Sequence, residues 1–164
     1  MKKGFTMIEL IFVIVILGIL ASVAIPRLAA TREDAEISAA VANLRTLVSD
    51  ASAYYTAKGE FGSNTKWSEI TNVSLDGATT ANAVSSNTAT AKLKAGGKDC
   101  IGVYLVNKAG TTPAHIVFTK ESSATGVCDQ VQKSDPLKVY LESRLPSDST
   151  ATGKMAIGSS TSVY

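Results

Sequence analysis

Residues 5–25 read FTMIELIFVIVILGILASVAI, and this stretch decides the fold of the chain. Its only ionisable side chain is Glu9, and about 20 consecutive apolar residues are enough to cross the hydrocarbon layer of a membrane as a helix. A charged side chain in such a helix costs about 2.5–3.5 kcal/mol at the bilayer centre and less near its edge. We therefore expect a membrane-crossing helix that retains Glu9 because the carboxylate pairs with a partner.

The residues around Glu9 give this expectation a more specific form. Residues 2–10, KKGFTMIEL, resemble the class III signal of type IV pilins and of the related pseudopilins of type II secretion systems. The resemblance covers roughly the first 50 residues. It implies that a prepilin peptidase cleaves between Gly4 and Phe5 and methylates the new amine of Phe5. It also implies that Glu9 pairs with the N-terminal amine of a neighbouring subunit.

Elementary electrostatics supports this intermolecular pair. An unpaired amine and an unpaired carboxylate are both costly in hydrocarbon. Copies offset by about one helical turn bring the two groups together, because four residues at 1.5 Å span about 6 Å. We expect the pair to fix the register between subunits, as buried polar groups sometimes do.

The resemblance implies a set of partners and a location as well. The subunit would be a single-pass protein of the inner membrane before assembly and would then join a homo-oligomeric helical filament. Prepilin peptidase, an assembly platform and motor proteins would be its other partners. The filament would lie at the cell surface or span the periplasm, with the head domain outside the cytoplasm.

Two other interpretations of the N-terminus remain open. An ordinary secretory signal peptide would use Lys2 and Lys3 as its basic region and residues 22–24 as its small-residue cleavage site. A plain single-pass anchor would remain uncleaved, with Glu9 reaching the interface. The two lysines favour a cytoplasmic N-terminus in a membrane-inserted chain.

The helix is expected to continue beyond the apolar stretch. Pro26 predicts a kink, because proline removes one backbone hydrogen bond and crowds the preceding turn; a helix end at this proline is the alternative. Lys58 and Gly59 have the composition of a helix C-terminus. Packing on a sheet is favoured over a coiled coil for the narrow apolar stripe that follows the proline. The stripe consists of Ile37, Val41, Leu44, Val48, Ala51 and Tyr55.

The remaining residues predict a small antiparallel head. Residues 100–106 and 114–119 are rich in β-branched and aromatic residues and are separated by turn-forming residues, so they predict a hairpin. Ser-Asp-Pro at 134–136 indicates a helix start with Asp135 as its cap, and an edge strand is the alternative. Residues 155–157 are interpreted as a short strand.

A long connection is predicted between the helix and the hairpin. It contains the apolar residues Phe61, Trp67 and Ile70, expected to anchor it on the head, and then a small, polar, low-complexity run. This run is either a subunit contact surface or a solvated loop. The predicted fold is α+β, a long kinked helix packed on a small antiparallel sheet. Its segments are a leader at 1–4, the apolar half of the helix at 5–25, the amphipathic half at 26–58, the connection at 59–98 and the head at 99–164.

The two cysteines, Cys100 and Cys128, fall in the part expected outside the cytoplasm. A lone pair of cysteines in an oxidising compartment most simply forms a disulfide; two buried free thiols are the alternative. Type IV pilins often carry a disulfide near the C-terminus that bounds an exposed variable region. Here 36 residues follow Cys128, so the sequence departs from that pattern.

Composition favours a structural protein over an enzyme or a nucleic-acid-binding protein. Removal of Lys2 and Lys3 takes two of the 16 basic residues and leaves 14 against 14 acidic ones, which gives no basic surface. His115 is the only histidine, and Asp129 with Asp135 supplies too few oxygen ligands for calcium. We expect no cofactor and no metal. The favoured function is a type IV pilin, with a type II secretion pseudopilin and a membrane-tethered monomeric binding domain as alternatives.

We predict that the chain isolated from cells begins at Phe5 and that its amine is methylated. Mass spectrometry of the N-terminal peptide separates the three interpretations because each removes a different length of chain. A chain that begins at Ile25 would indicate signal peptidase, and one that begins at Met1 would indicate an unprocessed anchor.

Overall fold

A computed structural model describes four stretches of the chain, residues 6–85, 88–122, 124–145 and 152–157. The chain divides into two compact units, Met1–Ala35 and Glu36–Tyr164. The elements found in the described residues are α1 (Met7–Lys58), α2 (Trp67–Ile70), β1 (Ala91–Ala95), β2 (Lys98–Val106), β3 (His115–Lys120), α3 (Val127–Lys133), α4 (Asp135–Leu141) and β4 (Lys154–Ala156).

Helix α1 contains Pro26 in its interior, so the alternative of a helix end at this proline is wrong. The kink at Pro26 stays a prediction. At its other end the helix stops at Lys58, as predicted. Gly59 adopts a φ of 81°, which favours glycine, and its N–H donates to the carbonyl of Tyr55 at 2.7 Å.

The first unit exposes the apolar part of α1. Every large hydrophobic side chain from Met7 to Leu28 is 40–77% exposed. Within the described residues, α1 is the one helix that is long and apolar enough to cross a membrane. A helix that is apolar on all sides has to be covered by lipid or by other helices, so this part of the chain is unstable in water on its own.

The second unit is built on a four-stranded antiparallel sheet with the strand order β1-β2-β3-β4. The predicted hairpin is confirmed, because β2 pairs with β3 and places Val103 opposite Phe118 and Leu105 opposite Ile116. All four side chains are buried in the core. Strand β4 overlaps the short strand predicted at 155–157 and pairs with the first half of β3.

Strand β1 lies inside the segment predicted as a connection, so that connection is shorter than 59–98. The sequence of β1, AKLKA, contains one large apolar residue and gives little strand signal. Its turn to β2 is Gly96-Gly97, with φ values of 58° and 78°. Two glycines between short alternating segments are a hairpin signal that the sequence interpretation missed.

The C-terminal part of α1 packs into the core of the second unit. Three members of the predicted stripe, Val41, Leu44 and Ala51, are buried, and so are Ala40 and Leu47, which the stripe omitted. The buried surface is wider than predicted because a helix on a broad core buries an arc of about 100° rather than a narrow seam. The remaining stripe residues are partly buried at its margins, namely Ile37, Val48 and Tyr55.

The connection after α1 is anchored as predicted. Phe61, Trp67 and Ile70 are all buried. Asn107 in the turn after β2 holds the backbone of Phe61 through two hydrogen bonds: its Nδ2 donates to the carbonyl at 2.8 Å, and its Oδ1 accepts from the N–H at 2.9 Å. The indole N–H of Trp67 donates to Thr90 Oγ1 at 2.9 Å.

The low-complexity run is fixed to the sheet by backbone hydrogen bonds. Leu105 of β2 donates to the carbonyl of Ala83 at 2.9 Å, and Ser85 donates back to the carbonyl of Leu105 at 3.0 Å. Asp76 exchanges two backbone hydrogen bonds with Lys92 on the outer side of β1. These bonds cover sheet edges that would otherwise be free to pair with another chain.

The C-terminal helices differ from the prediction in two respects. Helix α4 starts at Asp135, so the edge-strand alternative is wrong, but its N-cap position is Ser134 rather than Asp135. Asp135 instead pairs with Lys138 at 2.6 Å. Helix α3 was not predicted, because seven residues are too few to show a clear helical period.

We predict that Leu44→Ala lowers the free energy of unfolding of the second unit by about 2–5 kcal/mol, because Leu44 is fully buried and its truncation leaves a cavity. Urea denaturation of the full chain in detergent, followed by the fluorescence of Trp67, measures the change. Leu28→Ala is the matched control, since Leu28 is 68% exposed. Equal midpoints for the two variants would contradict the packing described above.

Candidate functional site

Glu9 lies in the first turn of α1, where Thr6 holds its carboxylate. The Thr6 N–H donates to Glu9 Oε2 at 2.8 Å, and the Thr6 hydroxyl donates to the same oxygen at 2.6 Å. The Glu9 N–H donates in turn to Thr6 Oγ1 at 3.3 Å. Because α1 begins at Met7, Thr6 is its N-cap and Glu9 its third residue. The arrangement is a capping box, which satisfies two backbone N–H groups of the first turn.

The capping box was visible in the sequence and was missed. Residues 6–9, TMIE, match the Thr-x-x-Glu pattern that precedes an apolar run at a helix start. The sequence interpretation assigned Glu9 only to an intermolecular pair, and Thr6 received no role. A glutamate in the first turn also interacts favourably with the positive end of the helix dipole.

In the described part of the chain, one of the two carboxylate oxygens of Glu9 accepts hydrogen bonds. Among the described residues, every hydrogen bond to this carboxylate goes to Oε2. The side chain is exposed, and it lies next to apolar side chains that are exposed as well. Gly4 and Phe5, which the sequence assigns to cleavage and methylation, lie outside the described residues.

The disulfide between Cys100 and Cys128 joins β2 to α3. Their Cα atoms are 5.4 Å apart, and both residues are buried. The predicted bridge is therefore present, and the free-thiol alternative is wrong. Gln132, one turn after Cys128, adds a second connection: its Nε2 donates to the carbonyls of Cys100 at 2.7 Å and Glu121 at 3.2 Å. No sequence motif indicates this role of Gln132.

A small ionic cluster joins β1, β2 and the residue that follows β3. Lys92 of β1 lies 3.3 Å from the Glu121 carboxylate and 3.5 Å from that of Asp99. The hydrogen bond and negative charge of Glu121 raise the pKa of Lys92, and Asp99 acts in the same direction. All three groups are partly exposed, so water and salt weaken the cluster.

The residues considered for metal binding or catalysis make structural contacts. Asp129 pairs with Lys133 at 2.8 Å. Buried His115 has its Nδ1 2.9 Å from the carbonyl of Pro113. Across the described stretches, no three His, Cys, Asp or Glu residues group in a way that would hold a metal ion.

Comparison with known proteins bears directly on the N-terminal segment. Residues 1–25 match the family model of the prokaryotic N-terminal methylation motif. The chain is also 42% identical over 64 residues to a fimbrial protein of Neisseria meningitidis serogroup A / serotype 4A (strain DSM 15465 / Z2491), a match covering 39% of this chain and 38% of the relative. The resemblance to the type IV pilin family is confirmed.

A second relative extends the pilin match. The fimbrial protein of Neisseria meningitidis serogroup B (strain ATCC BAA-335 / MC58) is 38% identical over 78 residues, which is 47% of this chain and 46% of the relative. The pilin-like chain thus spans less than half the length of the curated relatives it matches. No solved structure gives a significant match.

We predict that the double variant Cys100→Ala/Cys128→Ala lowers the free energy of unfolding of the head by about 2–4 kcal/mol, because the bridge restricts the unfolded chain. Urea denaturation followed by Trp67 fluorescence measures the loss. A reducing agent should lower the stability of the original chain by a similar amount and leave the double variant unchanged. A reductant effect on the double variant would show that the loss has another origin.

Proposed function

We propose that this pilin-like chain is a structural subunit that polymerises into a type IV pilus filament. In this proposal a prepilin peptidase cleaves after Gly4 and methylates Phe5, and the apolar part of α1 then passes from the inner membrane into the filament core. The observation that carries the proposal is the exposed N-terminal part of α1, residues 7–26, in which the one charged residue, Glu9, lies in the first turn.

The hydrogen bonding of the Glu9 carboxylate through Oε2 supports an intermolecular role for Glu9. Thr6 occupies Oε2, which lowers the cost of keeping the carboxylate in apolar surroundings. Oε1 is then the oxygen that would accept from the amine of Phe5 in an adjacent copy. A charge-assisted hydrogen bond of this kind is stronger than a neutral one. It would stabilise one axial offset between neighbouring helices.

Apolar packing alone would not select that offset. In the membrane, lipid tails already cover the exposed Leu, Ile and Val side chains, so helix association gains little from the hydrophobic effect. The same side chains can slide past one another with small changes in contact. The amine–carboxylate pair supplies the directional interaction that distinguishes one register from the others.

A type II secretion pseudopilin is the second candidate, because it would share the same N-terminus and the same assembly chemistry. The disulfide of the head favours a pilin. Assembly platform and motor proteins would extract the subunit from the membrane in either case. Long fibres composed mainly of this chain would identify a pilus, and a secretion defect without such fibres would identify a pseudopilus.

We predict that Glu9→Gln and Glu9→Leu both remain in the membrane and both lose filaments. Glutamine can still complete a capping box, so Glu9→Gln removes the charge and keeps the local helix start. Thr6→Ala is the matched control: it loses the cap, at a cost of about 1 kcal/mol, and retains the carboxylate, so it should still form filaments. Electron microscopy of sheared fibres and immunoblots of membrane fractions measure the outcomes.

Normal filaments from Glu9→Gln would refute the charge pair. Loss of filaments in Thr6→Ala with normal filaments in Glu9→Gln would assign this turn to helix capping alone, because glutamine keeps the cap and lacks the charge. If the original chain forms no sedimentable polymer and tolerates every apolar replacement of Glu9, the membrane-tethered monomer is the correct interpretation.

A further inference from the structure

Arg27 is the first charged residue after Glu9, and residues 10–26 contain none. The two residues are 18 positions apart along the helix, about 27 Å at 1.5 Å per residue. The hydrocarbon layer is about 30 Å thick. The carboxylate and the guanidinium can therefore lie at opposite edges of this layer at the same time, with Gly18 near its centre.

The guanidinium of Arg27 has no carboxylate nearby on its own helix. The residues one turn away on either side are Val23, Ala24, Ala30 and Thr31. Arg27 is exposed, and the described residues form no ion pair with it. An arginine presents five N–H donors in a planar fork that matches the oxygens of a phosphate group.

The backbone just before Arg27 also fits the edge of the membrane rather than its interior. Pro26 has no N–H, so the carbonyl of Ser22 loses its usual intrahelical donor. The Ser22 hydroxyl does not replace this donor, because it is bonded to the carbonyl of Ile19 at 2.7 Å. An unsatisfied carbonyl is costly in hydrocarbon, whereas water and lipid head groups can donate to it at the interface.

The distribution of positive charge along the processed chain gives a further reason to expect an anionic partner for Arg27. Positively charged residues usually accumulate on the cytoplasmic side of a membrane helix. Under the proposed function, cleavage after Gly4 removes Lys2 and Lys3 from that side. The processed chain then has the amine of Phe5 as its cation on the cytoplasmic side, and its first basic side chains, Arg27 and Arg32, lie at the outer end of the apolar segment. A cation in this position is favourable when it has an anionic partner there.

We propose that Arg27 binds phospholipid phosphate groups at the outer face of the inner membrane and so sets the depth of the helix before assembly. This inference rests on the membrane-inserted stage of the proposed function. It places Glu9 at the cytoplasmic edge of the hydrocarbon, where a charged side chain is less costly than at the centre. The long arginine side chain extends toward the head groups while its methylene groups remain in apolar surroundings.

Site-directed spin labelling tests the depth. The oxidised full chain is labelled at single cysteines that replace Ile14, Leu17 or Leu20 and is reconstituted in vesicles of phosphatidylethanolamine and phosphatidylglycerol. The depth of each label is measured from its collision rates with oxygen and with a water-soluble nickel complex. We expect the deepest label at position 17. In Arg27→Leu the next charge is Arg32, so the centre of the uncharged segment moves by two to three residues, about 4 Å, and the deepest label becomes position 20.

Two variants serve as controls for this shift. Arg27→Lys keeps a cation at the same place and should retain the original depth profile. Arg32→Leu removes the same side chain five residues further along and should leave the profile unchanged. An unchanged profile in Arg27→Leu, or an equal shift in Arg32→Leu, would overturn the proposal.

Vesicles of phosphatidylcholine alone identify the source of the phosphate. A depth difference between the original chain and Arg27→Leu that persists there assigns the contact to the phosphate of any phospholipid. A difference that requires phosphatidylglycerol assigns it to anionic lipid. The depth is measured on unassembled chain. A negative depth result would therefore not contradict the filament proposal, and normal filaments from Glu9→Gln would not contradict the depth result.

Discussion

The cost of placing a carboxylate in an apolar helix constrains this molecule more than any other interaction. Glu9 is surrounded by exposed apolar side chains, and the hydrogen bonds that described residues make to its carboxylate all go to one oxygen, Oε2. The Thr6 capping box lowers the free-energy cost of the carboxylate in the isolated chain, and its hydrogen bonds to the carboxylate use Oε2. Under the proposed function, the N-terminal amine of an adjacent copy would complete the hydrogen bonding of this group.

The same helix meets two different environments along its length. Up to Leu28 its large apolar side chains are exposed in every direction, and they require lipid or neighbouring helices. From Ala40 to Ala51 it buries one side in the core of the second unit. The change follows from composition, because residues 10–26 contain no charged side chain, whereas charged side chains recur from Arg27 onward. One continuous helix thus contains an exposed apolar segment and a segment that packs within the second unit.

The head obtains its fixed structure from connections that are local in space and distant in sequence. The disulfide and Gln132 hold α3 against the end of β2, and Asn107 holds the chain that leaves α1. The low-complexity run pairs with β2 through Leu105. The hydrogen bonds of Leu105 with Ala83 and Ser85 also satisfy backbone groups that the four-stranded sheet would leave open.

The sequence by itself determined the helix, its apolar and amphipathic parts, the central hairpin and the disulfide, because each depends on periodicity, residue type or a short motif. Strand β1, helix α3 and the role of Gln132 were decided by tertiary structure. Their residues carry weak local preferences, and they form these elements because backbone groups and side chains from remote segments complete their hydrogen bonds and cover their apolar faces. The Thr6 capping box depends on both. Its motif is present in the sequence, and the structure shows that, among the described residues, its hydrogen bonds to the carboxylate go to Oε2.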